Sequence, residues 1–184
     1  MAKISSKKVI GADNQQERPE IRGWIVGFTD GEGCFSVSIF RNKTTRLGWQ
    51  IFPEFVITQS EKSLDALELF REYFDCGRVF VNKRYDNHNE YLYRFCVRSI
   101  KDLREKIIPF FKENQLRTYK QKDFKIFAEI VEKMAQKEHL TLRGMVNIAK
   151  RTEKMNRKIR SRFLESSETI RQARRHLRSC GGKI

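Results

Sequence analysis

Three glycines spaced four residues apart, Gly23, Gly27 and Gly31, interrupt a run that is otherwise apolar nearly all round, PEIRGWIVGFTD at residues 19–30. Pro19 suits the first turn of a helix, and Ile21, Trp24, Ile25, Val26 and Phe28 leave that helix no fully polar side. Each glycine costs about 1 kcal/mol against alanine in a helix, yet the spacing places all three on one stripe. A stripe without side chains lets another backbone approach closely, so this helix is predicted to be buried on more than one side, with a second backbone against the glycines.

The following segments alternate with the period of strands. In CFSVSIFR, Phe35, Val37 and Ile39 oppose Ser36, Ser38 and Phe40; in WQIFPEFVITQ, Ile51, Phe55 and Ile57 oppose Gln50, Glu54 and Thr58. Pro53 points to a bulge or an edge position within the second strand. Ser60 is placed to cap a helix with Leu64, Leu67, Phe70 and Phe74 at helical spacing, which Gly77 ends. A second hairpin, RVFVNKRY and EYLYRFCVR, turns at residues 86–89, and helices follow from Ser99 towards Phe111 and from Thr118 through Met134. Thr141 opens a further basic helix, and residues 163–178 have the pattern of another. Residues 1–16, which lack apolar periodicity, are expected to form a flexible arm, residues 17–158 the domain and residues 159–184 a basic extension.

Charge narrows the partners. The 184 residues have a formal net charge of +15, of which the last 44 residues hold +10. An excess of this sign concentrates polyanions and releases counterions on phosphate contact, so nucleic acid is the first partner to consider. No stretch approaches the roughly 18 apolar residues of a membrane span, and the first residues lack the apolar core of a secretory signal; an intracellular protein is expected. Cys34, Cys76, Cys96 and Cys180 are scattered, without zinc-ligand spacing, and are expected to be free thiols. His88 stands without a second histidine at the spacing of an HNH-type nuclease.

Asp30 and Glu32 sit where the first helix should end. Helix C-termini carry partial negative charge, so two carboxylates there call for a metal ion or another cation nearby. Carboxylate and main-chain oxygens suit Mg²⁺, and Gly31 and Gly33 leave the backbone accessible. Ordinary turn acids after a helix would look the same in isolation.

The segment IVGFTDGEG, residues 25–33, resembles the LAGLIDADG motif of homing endonucleases, and the α-β-β-α-β-β-α order over residues 18–158 is similar to that family's core. The resemblance implies an α+β fold, αββαββα with extra C-terminal helices, whose four-stranded antiparallel sheet binds DNA. With one motif in the sequence, it implies a homodimer in which Gly23, Trp24, Gly27 and Phe28 meet their two-fold mates. Glu32 corresponds to the metal-binding acid, where the family more often has Asp, with the Gly31 carbonyl beside it; Asp30 corresponds to an acid of structural role. Gln59 corresponds to a polar residue that positions water or metal, and Lys120, more than Lys122, to a basic residue able to stabilise charge on phosphate. The implied reaction is hydrolysis of DNA phosphodiesters with Mg²⁺, or Mn²⁺ or Ca²⁺ in its place, at a long and partly palindromic target. A mobile intron or similar element would encode such an enzyme, placing it in a bacterial cytoplasm, a mitochondrion or a chloroplast.

With the apolar strand residues turned to the helices, the opposite face carries Ser36, Ser38, Gln50, Glu54, Asn82, Arg84 and Arg94, suited to the major groove. Arginine can offer a bidentate fork to guanine, Gln50 and Asn82 can pair with adenine, and Glu54 can accept from cytosine. Arg41, Asn42, Lys43 and Arg46 at the first hairpin extend the surface. Two rivals use the same fold, an intron RNA maturase and a DNA-binding regulator without cleavage. A regulator has no need of Glu32, Gln59 and Lys120 together, whereas the basic tail would serve RNA as readily as DNA.

Overall fold

The computed structural model of the chain describes residues 17–82, 91–156 and 161–165. Helix α1 (Glu17–Glu32) runs directly into strand β1 (Gly33–Arg41), which turns back as β2 (Trp49–Ser60). Helix α2 (Leu64–Phe74) leads to β3 (Arg78–Asn82) and β4 (Leu92–Val97). A continuous helical stretch follows: α3 (Ile100–Asp102), a wider π turn at Leu103–Ile107 and α4 (Ile108–Glu113). The long helix α5 (Lys120–Ala135) is succeeded by α6 (Leu142–Thr152) and the short α7 (Arg162–Glu165). The four strands form one antiparallel sheet in the order β1-β2-β4-β3. This is the α+β, αββαββα arrangement with C-terminal helices that the sequence predicts. The expected arm, the 86–89 turn, Arg84, Cys180 and most of the basic extension lie outside the described residues.

The sheet divides side chains by parity. The β1–β2 ladder runs without a slip from Gly33 opposite Ile57 to Arg41 opposite Trp49, with Pro53 opposite Val37, so no bulge exchanges the faces. Strand β4 pairs with β2 only from Phe55 to Ser60. Pro53 therefore stands where the other edge of β2 has no strand beside it among the described residues, and the edge reading holds locally. At the end of α2 the left-handed residue is Asp75, φ 46°, before Gly77, φ 81°. A Cβ on Gly77 would meet the Phe95 ring at 2.6 Å, so this glycine serves the entry to β3.

Phenylalanine builds the core between sheet and helices. Phe35 and Phe55, partners across β1 and β2, stack at 4.9 Å, and both rings meet Phe111 edge-on at 5.4 and 5.5 Å. Phe70 of α2 lies 5.8 Å from Phe95, while Phe124 and Phe127 bring α5 onto Phe35. Each fully buried ring contributes roughly 1.5–3 kcal/mol of hydrophobic stabilisation. Buried Asp123 of α5 accepts from the Asn156 N–H at 3.0 Å, and the Asn156 side chain donates to the Phe35 carbonyl at 3.2 Å. Phe163 of α7 packs edge-on against Trp49 at 5.3 Å, so α7 lies against the β1–β2 hairpin.

Asp30 ties α1 to α5. Its carboxylate accepts from the Arg117 N–H at 2.6 Å, the Thr118 N–H at 3.2 Å and the Thr118 hydroxyl at 2.7 Å, just ahead of α5. Burial would raise its pKa, but these donors and the Lys120 charge outweigh that and hold the carboxyl below its ordinary 3.8. The depressed value means that the carboxylate stabilises the fold above the unfolded pKa and stops doing so as pH falls through the lower folded one. Asp30→Ala should lower stability near neutral pH by about 1 kcal/mol, the typical worth of a lost helix cap. In urea titrations the gap to wild type should shrink below pH 3.8; a gap undiminished at about pH 2 would exclude the carboxylate as its source.

Candidate active site and nucleic-acid interface

The end of α1 presents three carbonyls to one cation. Lys120, the first residue of α5, donates from Nζ to the main-chain oxygens of Thr29 at 3.0 Å, Asp30 at 2.9 Å and Gly31 at 2.8 Å. An ammonium has three donors, and all three are engaged. Burial pushes the Lys120 pKa below 10.5, opposed in part by the neighbouring Cys34, Asp30 and Glu32. Lys120 is thus a cation of the kind that a helix C-terminus calls for, bound to its carbonyls and not to either carboxylate. Lys122 is exposed, its ammonium 5.1 Å from the centre of the Tyr119 ring.

Glu32 differs from Asp30. It is exposed and makes no hydrogen bond or ion pair to another described residue. The Gly31 carbonyl, although engaged by Lys120, keeps a second lone pair. Gly33 next to Glu32 admits no side chain, because a Cβ there would lie 2.7 Å from Thr29 Cγ2 and 2.8 Å from the Thr29 carbonyl oxygen. Gln59, half-buried opposite Tyr93, lies two residues beyond Ile57, the partner of Gly33, and so at the same end of the sheet as Glu32.

The glycine stripe faces outward. A Cβ on Gly23, Gly27 or Gly31 would meet nothing within 4 Å. Beside it Trp24, 37% exposed, packs on Phe28 at 4.8 Å and on Phe70 at 5.5 Å. An apolar helix flank with open space along its glycines leaves room for another backbone to approach.

Ser36, Ser38, Gln50, Glu54, Asn82 and Arg94 share the outer sheet face by register. Gln50 accepts from the Asn42 amide at 2.6 Å, while the Asn42 oxygen takes the N–H and hydroxyl of Thr44 and so shapes the hairpin turn. Lys43 and Arg46 are exposed there, and the Arg41 guanidinium lies 5.1 Å from the centre of the Trp49 ring. Glu54 is enclosed by partners: Ser36 Oγ at 3.5 Å, Arg94 at 3.5 Å, Arg98 at 3.1 Å and the Cys96 thiol at 3.4 Å.

Sequence reasoning passed over three features of this region. The outer face is more apolar than alternation suggests, with Val56 and Cys96 nearly buried and Phe40 43% exposed. The Cys96 thiol on this face is free, as expected of it, but burial raises its pKa to about 11, which the sequence did not show. Arg98, one residue past β4, joins the outer face; the step from Arg94 through Cys96 to Arg98 in the sequence was the available signal.

Comparison with known proteins agrees with this geometry. Residues 25–131 match the family model described as LAGLIDADG endonuclease. A probable intron-encoded endonuclease of Neurospora crassa is 34% identical over 147 residues, covering 80% of this chain and 32% of the relative. The chain spans between a quarter and a third of the length of this and the next two curated relatives. Among solved structures, the homing endonuclease I-TnaI is 35% identical with a TM-score of 0.68, the match covering 83% of this chain and 97% of that one. The I-LtrWI LAGLIDADG homing endonuclease bound to target DNA is 34% identical with a TM-score of 0.69, over 84% of this chain and 48% of that one. A chain with this motif helix, this sheet and this match to the family model belongs to the LAGLIDADG endonuclease family.

Proposed function

We propose that this chain is one half of a homodimeric, divalent-metal-dependent endonuclease that cuts double-stranded DNA at a long, partly palindromic site. The observation that carries the proposal is Glu32, an exposed carboxylate without a partner among the described residues, at the end of a helix whose glycine stripe is open to a second backbone. The likeness to a solved relative bound to target DNA, and to intron-encoded endonucleases, supports DNA as substrate and a mobile intron or similar element as source. The enzyme would then act in whichever compartment holds the intron-bearing genome.

Glu32 and the Gly31 carbonyl are oxygen donors of the kind that hard divalent ions take, and their exposure fits a site completed by DNA phosphate, water and the second subunit. Mg²⁺ is the expected ion, with Mn²⁺ or Ca²⁺ able to take its place in binding. When bound, such an ion supplies Lewis-acid stabilisation of charge on the phosphate oxygens. Gln59 offers an amide able to orient a water at the scissile phosphate. Lys120, its three donors engaged, contributes a fixed positive field and holds the Gly31 carbonyl in place. Ser36, Ser38, Gln50, Asn82, Arg84 and Arg94 would face the major groove, the hairpin residues Arg41, Asn42, Lys43 and Arg46 the flanks, and the basic extension the phosphates.

Two measurements test this reading. Glu32→Gln should reduce cleavage of the intron insertion-site duplex by about a thousandfold or more while leaving the affinity for that duplex within a few fold. Wild-type protein that binds this duplex but nicks it with no divalent ion would sink the enzymatic reading. Gly27→Leu should shift sedimentation towards the monomer, since a branched side chain fills the groove meant for the partner helix. A stable dimer in this variant would remove the glycine stripe from the interface.

A further inference from the structure

Glu54 sits at the centre of the outer sheet face with a side chain only 15% exposed. A carboxylate offers about four acceptor positions, and here Ser36, Arg94, Arg98 and Cys96 take four contacts on its two oxygens. An amino group of cytosine could approach only by displacing one of these four groups. Glu54 is therefore placed to hold its neighbours, and the more exposed of the two cations, Arg98, is the one it holds best.

Arg98 is fixed from three sides. Its Nε donates to Glu54 at 3.1 Å, and its guanidinium carbon lies 5.2 Å from the centre of the Phe52 ring and 5.5 Å from that of Phe80. Both rings stand on the outer face, Phe52 opposite Ser38 and Phe80 opposite Arg94. Two aromatic contacts and one charged acceptor orient the guanidinium plane before any ligand arrives, which lowers the entropy lost on binding. With Nε committed and the Cys96 thiol beside the group, the two terminal nitrogens make no hydrogen bond to an oxygen among the described residues and can act as a fork, and the Arg98 side chain is 44% exposed. A planar fork on a sheet that enters the major groove matches O6 and N7 of guanine.

Building on the proposed function, we infer that Arg98 is a specificity-determining residue that selects guanine at one position of each half-site, and that Glu54, with Phe52 and Phe80, is its positioning group. A surface salt bridge that merely ties β2 to the end of β4 would leave base preference untouched, and a phosphate contact would weaken all sequences alike.

The test is selection from a pool of randomised DNA duplexes by full-length wild-type protein and by three variants, each verified as folded by its thermal transition. Wild type should enrich one motif. Arg98→Ala should lose one guanine per half-site, with discrimination there falling about tenfold or more and the other positions retained. Arg98→Lys, which keeps the charge and spares the fold should alanine disturb it, should lose the same guanine because an ammonium has no fork. Glu54→Gln should blur that position and the one set by Arg94 together. An unchanged motif in Arg98→Ala, a uniform loss of affinity with the motif intact, or a guanine retained by Arg98→Lys would each overturn the inference while leaving the endonuclease reading standing. Independent positions in Glu54→Gln would overturn the positioning role. A wild-type protein that enriches no duplex would instead defeat the DNA-targeting reading on which the inference rests.

Discussion

The meeting of the C-terminus of α1 with the N-terminus of α5 is the contact on which the site depends. Each helix end carries an unsatisfied row of main-chain groups, carbonyls on one and N–H groups on the other, and each side supplies the charge the other lacks. Lys120 takes the carbonyls of Thr29, Asp30 and Gly31, while Asp30 takes the N–H groups of Arg117 and Thr118. An acid that looks misplaced at the end of its own helix is well placed at the start of another. Glu32, by contrast, is exposed and has no hydrogen-bond or ion-pair partner among the described residues, which on the proposed reading leaves it available for an ion.

The position of that carboxylate is inherited from the core over a very short path. Ile25 is fully buried in the same helix, and Phe35, fully buried in β1, lies three residues beyond Glu32. Between them Thr29 and Gly33 touch so closely that no side chain can be inserted at Gly33. The helix and strand on either side of Glu32 are therefore packed against the same group of phenylalanine rings, and little backbone freedom remains at the junction.

The parts of this arrangement visible in the sequence are the local ones. Alternation assigned the faces of β1 and β2 because pairing proceeds without a bulge through Pro53, and the caps at Ser99 and Thr141 act on N–H groups three residues away. The motif located Asp30 and Glu32, and the spacing of the glycines showed an open stripe. What alternation and capping rules could not supply were contacts between distant segments. Lys120 reaches carbonyls some 90 residues earlier, and the arginines that enclose Glu54 arrive from β4 and the residue after it, 44 positions away in the case of Arg98. A glutamate on a polar face looks free to bind until those strands are in register.

That enclosure has a consequence for how such a surface can change. One carboxylate holds two arginines from neighbouring positions, so substitutions along this row have energies that do not add, and if the row reads DNA as proposed, a replacement suited to one base would disturb the setting for the next. The sheet is not a row of independent letters. Variation that keeps Glu54 can alter the hairpin residues one at a time, whereas variation at Glu54 has to be matched on β4 in the same step; under the proposed function, drift of the recognised sequence would proceed by single substitutions at the periphery and by paired ones at this centre.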